Sequence, residues 1–442
     1  MKKVITYGTY DLLHYGHIRL LERAKELGDY LIVGVTADDF DKVRGKINVQ
    51  QSLMERVEAV RATGIADEII IEEYEGQKID DIRRLGVDIF TVGSDWIGYF
   101  DYLKEYCEVI YLDRTQGVSS SEIRAEKREL KIGLIGSGNI LEKYYSECGY
   151  VNGIVVVGIC SQDKIEKAEV KVFDSVDELL EQVDSVYIID NPRRQYEIVK
   201  KVLQAGKHVL CEAPVALSKE KISELHELAD KNGLILMDAM KTAYSTAFNR
   251  LQLLIKGGRI GKVISIDATC TSMREIEKCS DEELAQKWNS MFAWGPTALL
   301  PIFQLLGPEY QNCKITSHFA DKNYKYDAFS KIDLTYQDAV ATVKVGQGVK
   351  SEGELIISGT KGYVYVPAPW WKTDYFEIRY EDTTNNKRYF YQLEGEGIRY
   401  EIVAFVKAVN TGKNMSYMNC DVVEAIVGVM EKFENGDVVK IL

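Results

Sequence analysis

Two apolar strands run straight into glycine turns, and that pairing limits the fold more than any other feature of this chain. Val4–Tyr7 ends on Gly8, and Lys131-Ile132-Gly133-Leu134-Ile135 ends on Gly136. Glycine lets a backbone turn sharply and approach a bound group, so a strand closed by glycine and followed by a helix opens a parallel α/β unit. Strand and helix alternate after both turns. After the first, Tyr30–Val35, Ile69–Ile71, Ile89–Val92 and Val109–Leu112 read as strands, with Ile18–Leu27 and Leu53–Ala62 as helices. After the second, Val155–Ile159, Ser185–Ile189, His208–Cys211 and Leu234–Met237 read as strands. This alternation predicts a doubly wound parallel sheet each time.

The polar stretch Ser121–Leu130 predicts a helix bridging the two units. Beyond about residue 245 the pattern changes to long alternating runs: Val263–Thr271, Ile332–Thr335, Ala339–Val345, Glu354–Ser358, Gly362–Val366 and Phe376–Tyr380. They predict a mostly antiparallel sheet with helices on one face, closed by helices at Ile398–Val409 and Val422–Phe433. The fold class expected is α/β: two doubly wound Rossmann-like parallel-sheet domains, 1–129 and 130–243, followed by an α+β domain, 244–442, with an open, mostly antiparallel sheet.

Length and composition agree with several globular domains. The chain has 442 residues, 46% apolar and 28% charged, enough core to exclude disordered, collagen-like and coiled-coil classes. No apolar run reaches the roughly 18 residues a membrane span needs. The opening residues lack the long apolar region of a signal peptide, so a cytoplasmic protein is expected. Net charge is -13, with 18 basic against 25 acidic residues in 1–129 and 37 against 43 in the rest. Acidity spread so evenly argues against nucleic-acid or anionic-membrane partners, while leaving room for a local basic pocket. The eight cysteines form no CxxC pair, which points to reduced thiols rather than a metal site or disulfides.

Tyr7-Gly8-Thr9-Tyr10-Asp11-Leu12-Leu13-His14-Tyr15-Gly16-His17 carries the strongest chemical signal. A strand ends on glycine, and an HxGH turn opens a helix whose free N–H groups and dipole attract anions. Two imidazoles there can donate hydrogen bonds to phosphoryl oxygens as charge builds during transfer. The plainer alternative is a pair of helix-start histidines acting as caps.

From these residues, residues 1–128 resemble the glycerol-3-phosphate cytidylyltransferases of the HxGH nucleotidyltransferase superfamily. Further matches are Leu27–Val35, Val92-Gly93-Ser94-Asp95-Trp96, and Arg114-Thr115-Gln116-Gly117-Val118-Ser119-Ser120, a version of the family's RTxGIST signature. The resemblance implies CMP transfer from CTP, with Mg²⁺, to a polyol phosphate with release of pyrophosphate. It implies a nucleotide site of Gly8, Thr9, Tyr10, Asp11, Gly16, Asp95 and Trp96. His14 and His17 would stabilise the reacting phosphates, and Arg114, Thr115, Ser119 and Ser120 would hold the triphosphate. Lys46 and Arg56 would add positive charge, with Lys42 or Arg44 as alternatives to Lys46. Tyr10 stands where the family usually has Phe, and Ser120-Ser121 where it has threonines. No covalent nucleophile is needed, because the acceptor phosphate attacks directly.

Gly133-Leu134-Ile135-Gly136-Ser137-Gly138-Asn139-Ile140 follows a strand and precedes a helix, as a dinucleotide turn does, although the third glycine of GxGxxG is Leu141. A plain glycine turn is the alternative. Residues 131–435 resemble the glucose–fructose oxidoreductase / inositol dehydrogenase (Gfo/Idh/MocA) family. The matches include Val186–Pro192, Ala205–Pro214, Gly257–Val263 and Gly395–Glu401. The resemblance implies NAD or NADP held by Gly136, Ser137, Gly138, Asn139, Ile140, Asp163, Asn191, Pro192 and Glu212.

Three departures stand out. The family's Glu-Lys-Pro is Glu212-Ala213-Pro214 here, without the lysine assigned to proton transfer. The family's later Asp-x-x-x-His/Tyr falls near Trp294–Leu300, with none of those residues. The end of the second strand lacks the Arg of NADP binders, and Asp163 leans toward NAD. Lys241 and Tyr244 follow a strand end, where such a site opens, and can serve as acid or base if their pKa is lowered. Lys241 facing solvent or a substrate phosphate is the alternative. Arg193 and Arg194 are a solvated pair or phosphate holders. Trp370-Trp371 and the tyrosines after 360 read as sheet faces or an oligomer interface.

The expectation is a bifunctional enzyme. Its second half reduces a keto- or aldo-sugar phosphate with NAD(P)H, and its first half activates the polyol phosphate as a CDP-polyol, a precursor of cell-wall or capsular polymers. The alternative is a cytidylyltransferase fused to a catalytically degenerate module that binds a dinucleotide or sugar or builds the oligomer. Both resemblances imply a homo-oligomer, a dimer or higher. No metal-ligating residues are assigned.

Overall fold

Residue-by-residue alternation sorts the side chains of the first strand, β1 (Lys3–Gly8), onto two faces. Val4 packs with Leu31, Val33, Leu21 and Val60 on one side of the sheet. Ile5 packs with Ile32, Phe90, Ile82 and Leu103 on the other. Side chains that alternate across a strand with both neighbours buried belong to a sheet covered on both faces. The computed structural model describes the chain apart from residues 14, 38–48, 50, 52, 75, 114–128, 162–169, 277, 392, 413, 415 and 442, and the side chains of residues 54 and 55. It divides into two compact units, Met1–Glu129 and Leu130–Leu442.

In the first unit, β1 is joined by β2 (Tyr30–Thr36), β3 (Glu68–Glu72), β4 (Ile89–Gly93) and β5 (Glu108–Leu112). Among the described residues they form one sheet, ordered β3-β2-β1-β4-β5. Every pairing is parallel. The order reverses at β1, so the crevice beyond the carboxyl ends of β1 and β4 is the topological switch point, where α/β sheets bind ligands.

The second unit opens on β6 (Leu130–Gly136), followed by β7 (Ile154–Cys160), β8 (Lys171–Val172), β9 (Ser185–Ile189), β10 (His208–Glu212) and β11 (Leu236–Ala239). Leu130, read from sequence as the end of a helix, begins this strand, Glu129 before it is not helical, and residues 121–128 of that expected helix lie outside the described residues. The second sheet runs β11-β10-β9-β6-β7-β8 and is also parallel. Its switch point falls between β6 and β9. Leu141, in place of the third glycine, is fully buried, so the helix Asn139–Cys148 packs through a leucine rather than by close backbone approach.

A third sheet follows: β12 (Val263–Thr271), β13 (Asn312–Phe319), β14 (Asp327–Thr335), β15 (Val340–Gly346), β16 (Leu355–Gly359), β17 (Tyr363–Val366), β18 (Tyr375–Arg379), β19 (Lys387–Phe390) and β20 (Val439–Ile441). Its order is β19-β18-β17-β16-β12-β15-β14-β13-β20. Only β12–β15 and β13–β20 pair in parallel among the described residues, so the sheet is mixed and mostly antiparallel. The helices Ser290–Leu306 and Cys420–Glu434 bury Phe292, Leu299, Ile302, Val427 and Met430 in a core continuous with the second sheet. Asparagine starts both: the side chains of Asn289 and Asn419 accept from the backbone N–H groups of Phe292 and Val422.

Candidate active sites

In the first unit, Gly8–Asp11 and Ser94–Trp96 leave the sheet side by side, because β1 and β4 pair with Thr6 opposite Thr91. Tyr10 turns back with φ +53°, and its ring is buried. A Cβ at Gly8 would stand 3.0 Å from that ring, so glycine leaves the room Tyr10 occupies. The His17 ring meets Tyr10 edge-on at 5.5 Å. The tyrosine is thus a floor for the loop and a wall for the imidazole. Asp11 is buried and accepts from the Gln51 backbone N–H at 3.0 Å, tying this loop to the approach of the helix Leu53–Ala62.

Arg56 sits on that helix, fully buried. Its Nη1 donates to the carbonyl oxygens of Thr9 (2.7 Å) and Thr36 (2.8 Å), and its Nε to that of Gln51 (3.2 Å). It clasps the ends of β1 and β2 through their carbonyls. Asp95 is exposed at the end of β4, and the Trp96 ring is propped by Tyr99 (5.3 Å) and Phe100 (5.8 Å). Gly16 lies in the first turn of the helix Tyr15–Glu26. His14, Lys42, Arg44, Lys46, Arg114, Thr115, Ser119 and Ser120 lie outside the described residues.

In the second unit Gly136 ends β6 opposite Ile189 of β9 with φ +135°, and a Cβ there would fall 1.7 Å from the Ile189 carbonyl oxygen. Only glycine fits. Gly138, at φ +88°, starts the helix Asn139–Cys148 with no side-chain cap, which leaves a helix N-terminus fit to receive a phosphate. These features fit a dinucleotide's pyrophosphate. Ser137, Gly138, Ile140 and Glu212 line a cleft of about 1020 Å³, and Asn139 borders its neighbour. Asn191 and Pro192 instead start the helix Pro192–Gln204, Asn191 capping it and donating to the Gln286 carbonyl. Asp163 lies outside the described residues.

Lys241 and Ala213 face this cleft, together with Trp294, Pro296, Thr297 and Trp371. The segment that departs from the family's Asp-x-x-x-His/Tyr therefore still reaches the cleft, with an indole, a proline and one hydroxyl. Two expectations change. Tyr244 is buried, its hydroxyl against Ser416 at 3.2 Å, outside the cleft lining. Trp371, read as a sheet face or interface, packs on Trp294 at 4.8 Å in the cleft wall, while Trp370 is fully buried. Arg193 pairs with Glu434 at 2.8 Å and Arg194 with Asp190, so neither is a phosphate holder in this arrangement.

Sequence reading missed what lies beside Glu212. Its carboxylate accepts from the Tyr187 hydroxyl at 2.7 Å. The Tyr187 ring stacks on Tyr144 at 3.5 Å, and the Tyr144 hydroxyl donates to buried Glu401. Burial raises both carboxyls above the usual range, and the nearby Glu212 carboxylate raises Glu401 further. The charge of Lys241 acts on both in the opposite sense. Two carboxyls shifted toward their protonated forms thus lie near one ammonium group, Glu212 lining the cleft and Glu401 buried. Tyr187 and Glu401 lie within matched stretches, whereas Tyr144 gave no sequence signal.

The two units match different known proteins. A cytidylyltransferase-like family model matches residues 5–126. The glycerol-3-phosphate cytidylyltransferase of Bacillus spizizenii is 51% identical over 130 residues, 29% of this chain and 100% of that protein. The chain belongs to the cytidylyltransferase-like family. The cytidylyltransferase of Staphylococcus aureus carrying the same name is also 51% identical over 130 residues, covering 28% of this chain and 95% of its own. The first unit is therefore a nucleotidyltransferase. In this cytidylyltransferase chain a second model, an oxidoreductase family with an NAD-binding Rossmann fold, matches residues 130–239. A 3-ketoreductase from Actinomadura kijaniata, solved with NADP and TDP-benzene, shares the fold of the second unit. Its TM-score is 0.62 at 17% identity, covering 71% of this chain and 99% of that one. Biliverdin reductase from Synechocystis, solved with biliverdin and NADP⁺, gives 0.58 at 18%, covering 69% and 98%. No described helix is long and apolar enough to cross a membrane.

Proposed function

We propose that the chain makes a CDP-polyol by two linked reactions. In the first unit a polyol phosphate oxygen attacks the α-phosphorus of CTP, and pyrophosphate leaves. Mg²⁺ enters with the triphosphate as its counter-ion. His14 and His17 stabilise the charge that builds on the phosphates. Gly8, Thr9, Tyr10, Asp11, Asp95 and Trp96 frame the nucleotide, with Lys46, Arg114, Thr115, Ser119 and Ser120 on the triphosphate. Arg56 holds this frame in shape through the carbonyls of Thr9 and Thr36. The Bacillus and Staphylococcus relatives are named for glycerol 3-phosphate, which makes that compound the first acceptor to try.

The second unit supplies the acceptor by reducing its carbonyl precursor. Bound NAD(P)H furnishes the hydride. Lys241 gives a proton to the carbonyl oxygen as it becomes a hydroxyl, with Glu212 and Glu401 as the proton store behind it. The observation that carries this reading is the place of Lys241. It enters from the carboxyl end of β11 into the cleft that Ala213 leaves without the family's lysine. Ala213 itself favours a second reading, in which the second unit binds a dinucleotide or sugar without chemistry.

The deciding experiment mixes protein, CTP, Mg²⁺, NADH or NADPH and a panel of keto- and aldo-phosphates that includes dihydroxyacetone phosphate. Cofactor absorbance and product mass are followed together. Cofactor oxidation matched by a CDP-polyol supports the joint reading, and its loss in Lys241→Ala assigns the proton donor. CDP-glycerol formed only from added glycerol 3-phosphate, with reduced cofactor untouched, supports the second reading.

A further inference from the structure

Three lysines from three separate elements close on one carboxylate. Glu396 accepts from Lys143 at 3.0 Å to each oxygen, from Lys241 at 3.2 Å, and pairs with Lys372 at 2.9 Å. Lys143 lies on the helix Asn139–Cys148, Lys241 follows β11, and Lys372 ends the turn Trp370–Lys372. All four residues line the large cleft. Six basic and four acidic residues line that cleft, in a chain whose net charge is -13. Three ammonium groups around one carboxylate leave two positive charges unmatched.

The backbone under Glu396 is unusual. Gly395, Glu396 and Gly397 stand at φ +54°, +55° and +93°. A Cβ at Gly397 would approach the Lys241 carbonyl oxygen to 3.1 Å, so glycine is needed to bring the loop this close. A glutamate in the left-handed region is disfavoured. The chain nonetheless holds a carboxylate there, where an outside anion would otherwise enter.

We propose that Lys143 and Lys372 form the binding site for the phosphate of a small phosphorylated carbonyl substrate, and that Glu396 is a built-in stand-in which that phosphate displaces. A phosphate monoester carries a charge of about -1.5 to -2 at pH 7, which matches the two lysines once Glu396 has moved. The same displacement frees Lys241 from its carboxylate partner to face the substrate's carbonyl. The inference rests on the reductase reading for its substrate, but not for its anion.

The test is calorimetric titration of the full-length protein with inorganic phosphate. The variants lie in the second unit, so phosphate bound at the CTP site contributes equally to every titration. The structure predicts that Lys143→Ala with Lys372→Ala weakens the second-unit phosphate site at least tenfold. The milder Lys143→Gln with Lys372→Gln behaves alike. Glu396→Gln, which removes the competitor, tightens phosphate about tenfold. Unchanged phosphate affinity in all three overturns the proposal and leaves a structural ion cluster. NADH titrated in parallel separates the two phosphoryl sources. If the lysine variants lose NADH as strongly as phosphate, the site belongs to the dinucleotide and the substrate assignment falls. Assays with dihydroxyacetone phosphate and dihydroxyacetone then separate the two readings. The expected phosphate responses without turnover of either compound uphold the anion site and sink the reductase. Turnover of both compounds at rates and KM values that the lysine variants leave unchanged overturns the anion site and keeps the reductase.

Discussion

Replacing Arg56 with methionine separates two roles that its charge leaves open. The resemblance to cytidylyltransferases placed this arginine among the cations that meet the nucleotide, yet the structure wraps it in its own backbone. Its Nη1 donates to two buried carbonyl oxygens at 2.7 and 2.8 Å. Hydrogen bonds from a charged donor contribute about 1.5–3 kcal/mol each, so the pair is worth roughly 3–6 kcal/mol. The Gln51 carbonyl, at 3.2 Å, adds less. Removing a buried charge also returns its desolvation cost, which pulls the net loss toward about 3 kcal/mol. Methionine keeps most of the volume, so little cavity penalty is added. For a unit of this size about 3–5 °C accompanies each kcal/mol, so the melting transition of the first unit should fall by about 10 °C. Scanning calorimetry of the whole chain reads this, with the first-unit transition identified by its upward shift in CTP. Pyrophosphate release measures KM for CTP on the same samples. A transition within about 1 °C of wild type, with KM for CTP strongly raised, would refute the clasp and return Arg56 to the phosphates.

Burial pushes the Asp238 carboxyl up to about 7. The folded state then keeps a proton that the unfolded chain releases near about pH 4, so stability falls between about pH 4 and 7 and levels off above. Asp238→Asn should melt higher than wild type above pH 7 and alike at pH 4, by thermal scans across that range. Gly136→Ala puts a methyl group 1.7 Å from the Ile189 carbonyl oxygen at φ +135°. Fluorescence titration should show NADH affinity down at least tenfold, with a lower second-unit melting point, and normal NADH binding would remove the turn from the cofactor site. Glu401→Gln keeps the shape but removes a carboxyl that burial holds protonated. It should stabilise the fold at alkaline pH and slow carbonyl reduction while NADH affinity holds; unaltered reduction would make Glu401 purely structural.

Strand positions were legible because each strand's side-chain alternation is strong and local. Val4 and Ile5 fall into opposite cores as a period of two requires. Gly8 and Gly136 mark the two strand ends at switch points. β13 escaped reading because only Ile315 and Phe319 among its apolar residues are fully buried. Ser317, midway between them on the same face, is a buried polar residue whose hydroxyl is hydrogen-bonded to Ser330 at 2.6 Å. The cleft escaped for another reason. Lys143, Lys241, Lys372 and Glu396 are scattered along the sequence, and only the packing of the helices, turn and loop that carry them brings them together. Charge counts could not show this pocket, because an acidic chain hides a local excess of lysine. Trp371 misled for the same reason, since an aromatic next to a buried Trp370 gives no sign of which way it faces.

The missing family lysine is the strongest argument against redox chemistry, and the buried carboxyls are the strongest reply. Glu212 and Glu401 are held above their ordinary range chiefly by burial. That arrangement opposes folding wherever the solvent would ionise them, and amides of the same shape would relieve it. A module that only bound a ligand gains nothing from such a cost. An acid site does, because a carboxyl that retains its proton near neutrality can resupply a lysine that has given one up. Tyr144 and Tyr187 join the pair through a stacked, hydrogen-bonded bridge, and Lys241 is the cation to which both respond. On the proposed reductase reading, the proton machinery of the second unit sits one strand over from the Glu-Lys-Pro position. On that reading Ala213 marks a shift of the acid to Lys241 at the end of β11, within the same cleft.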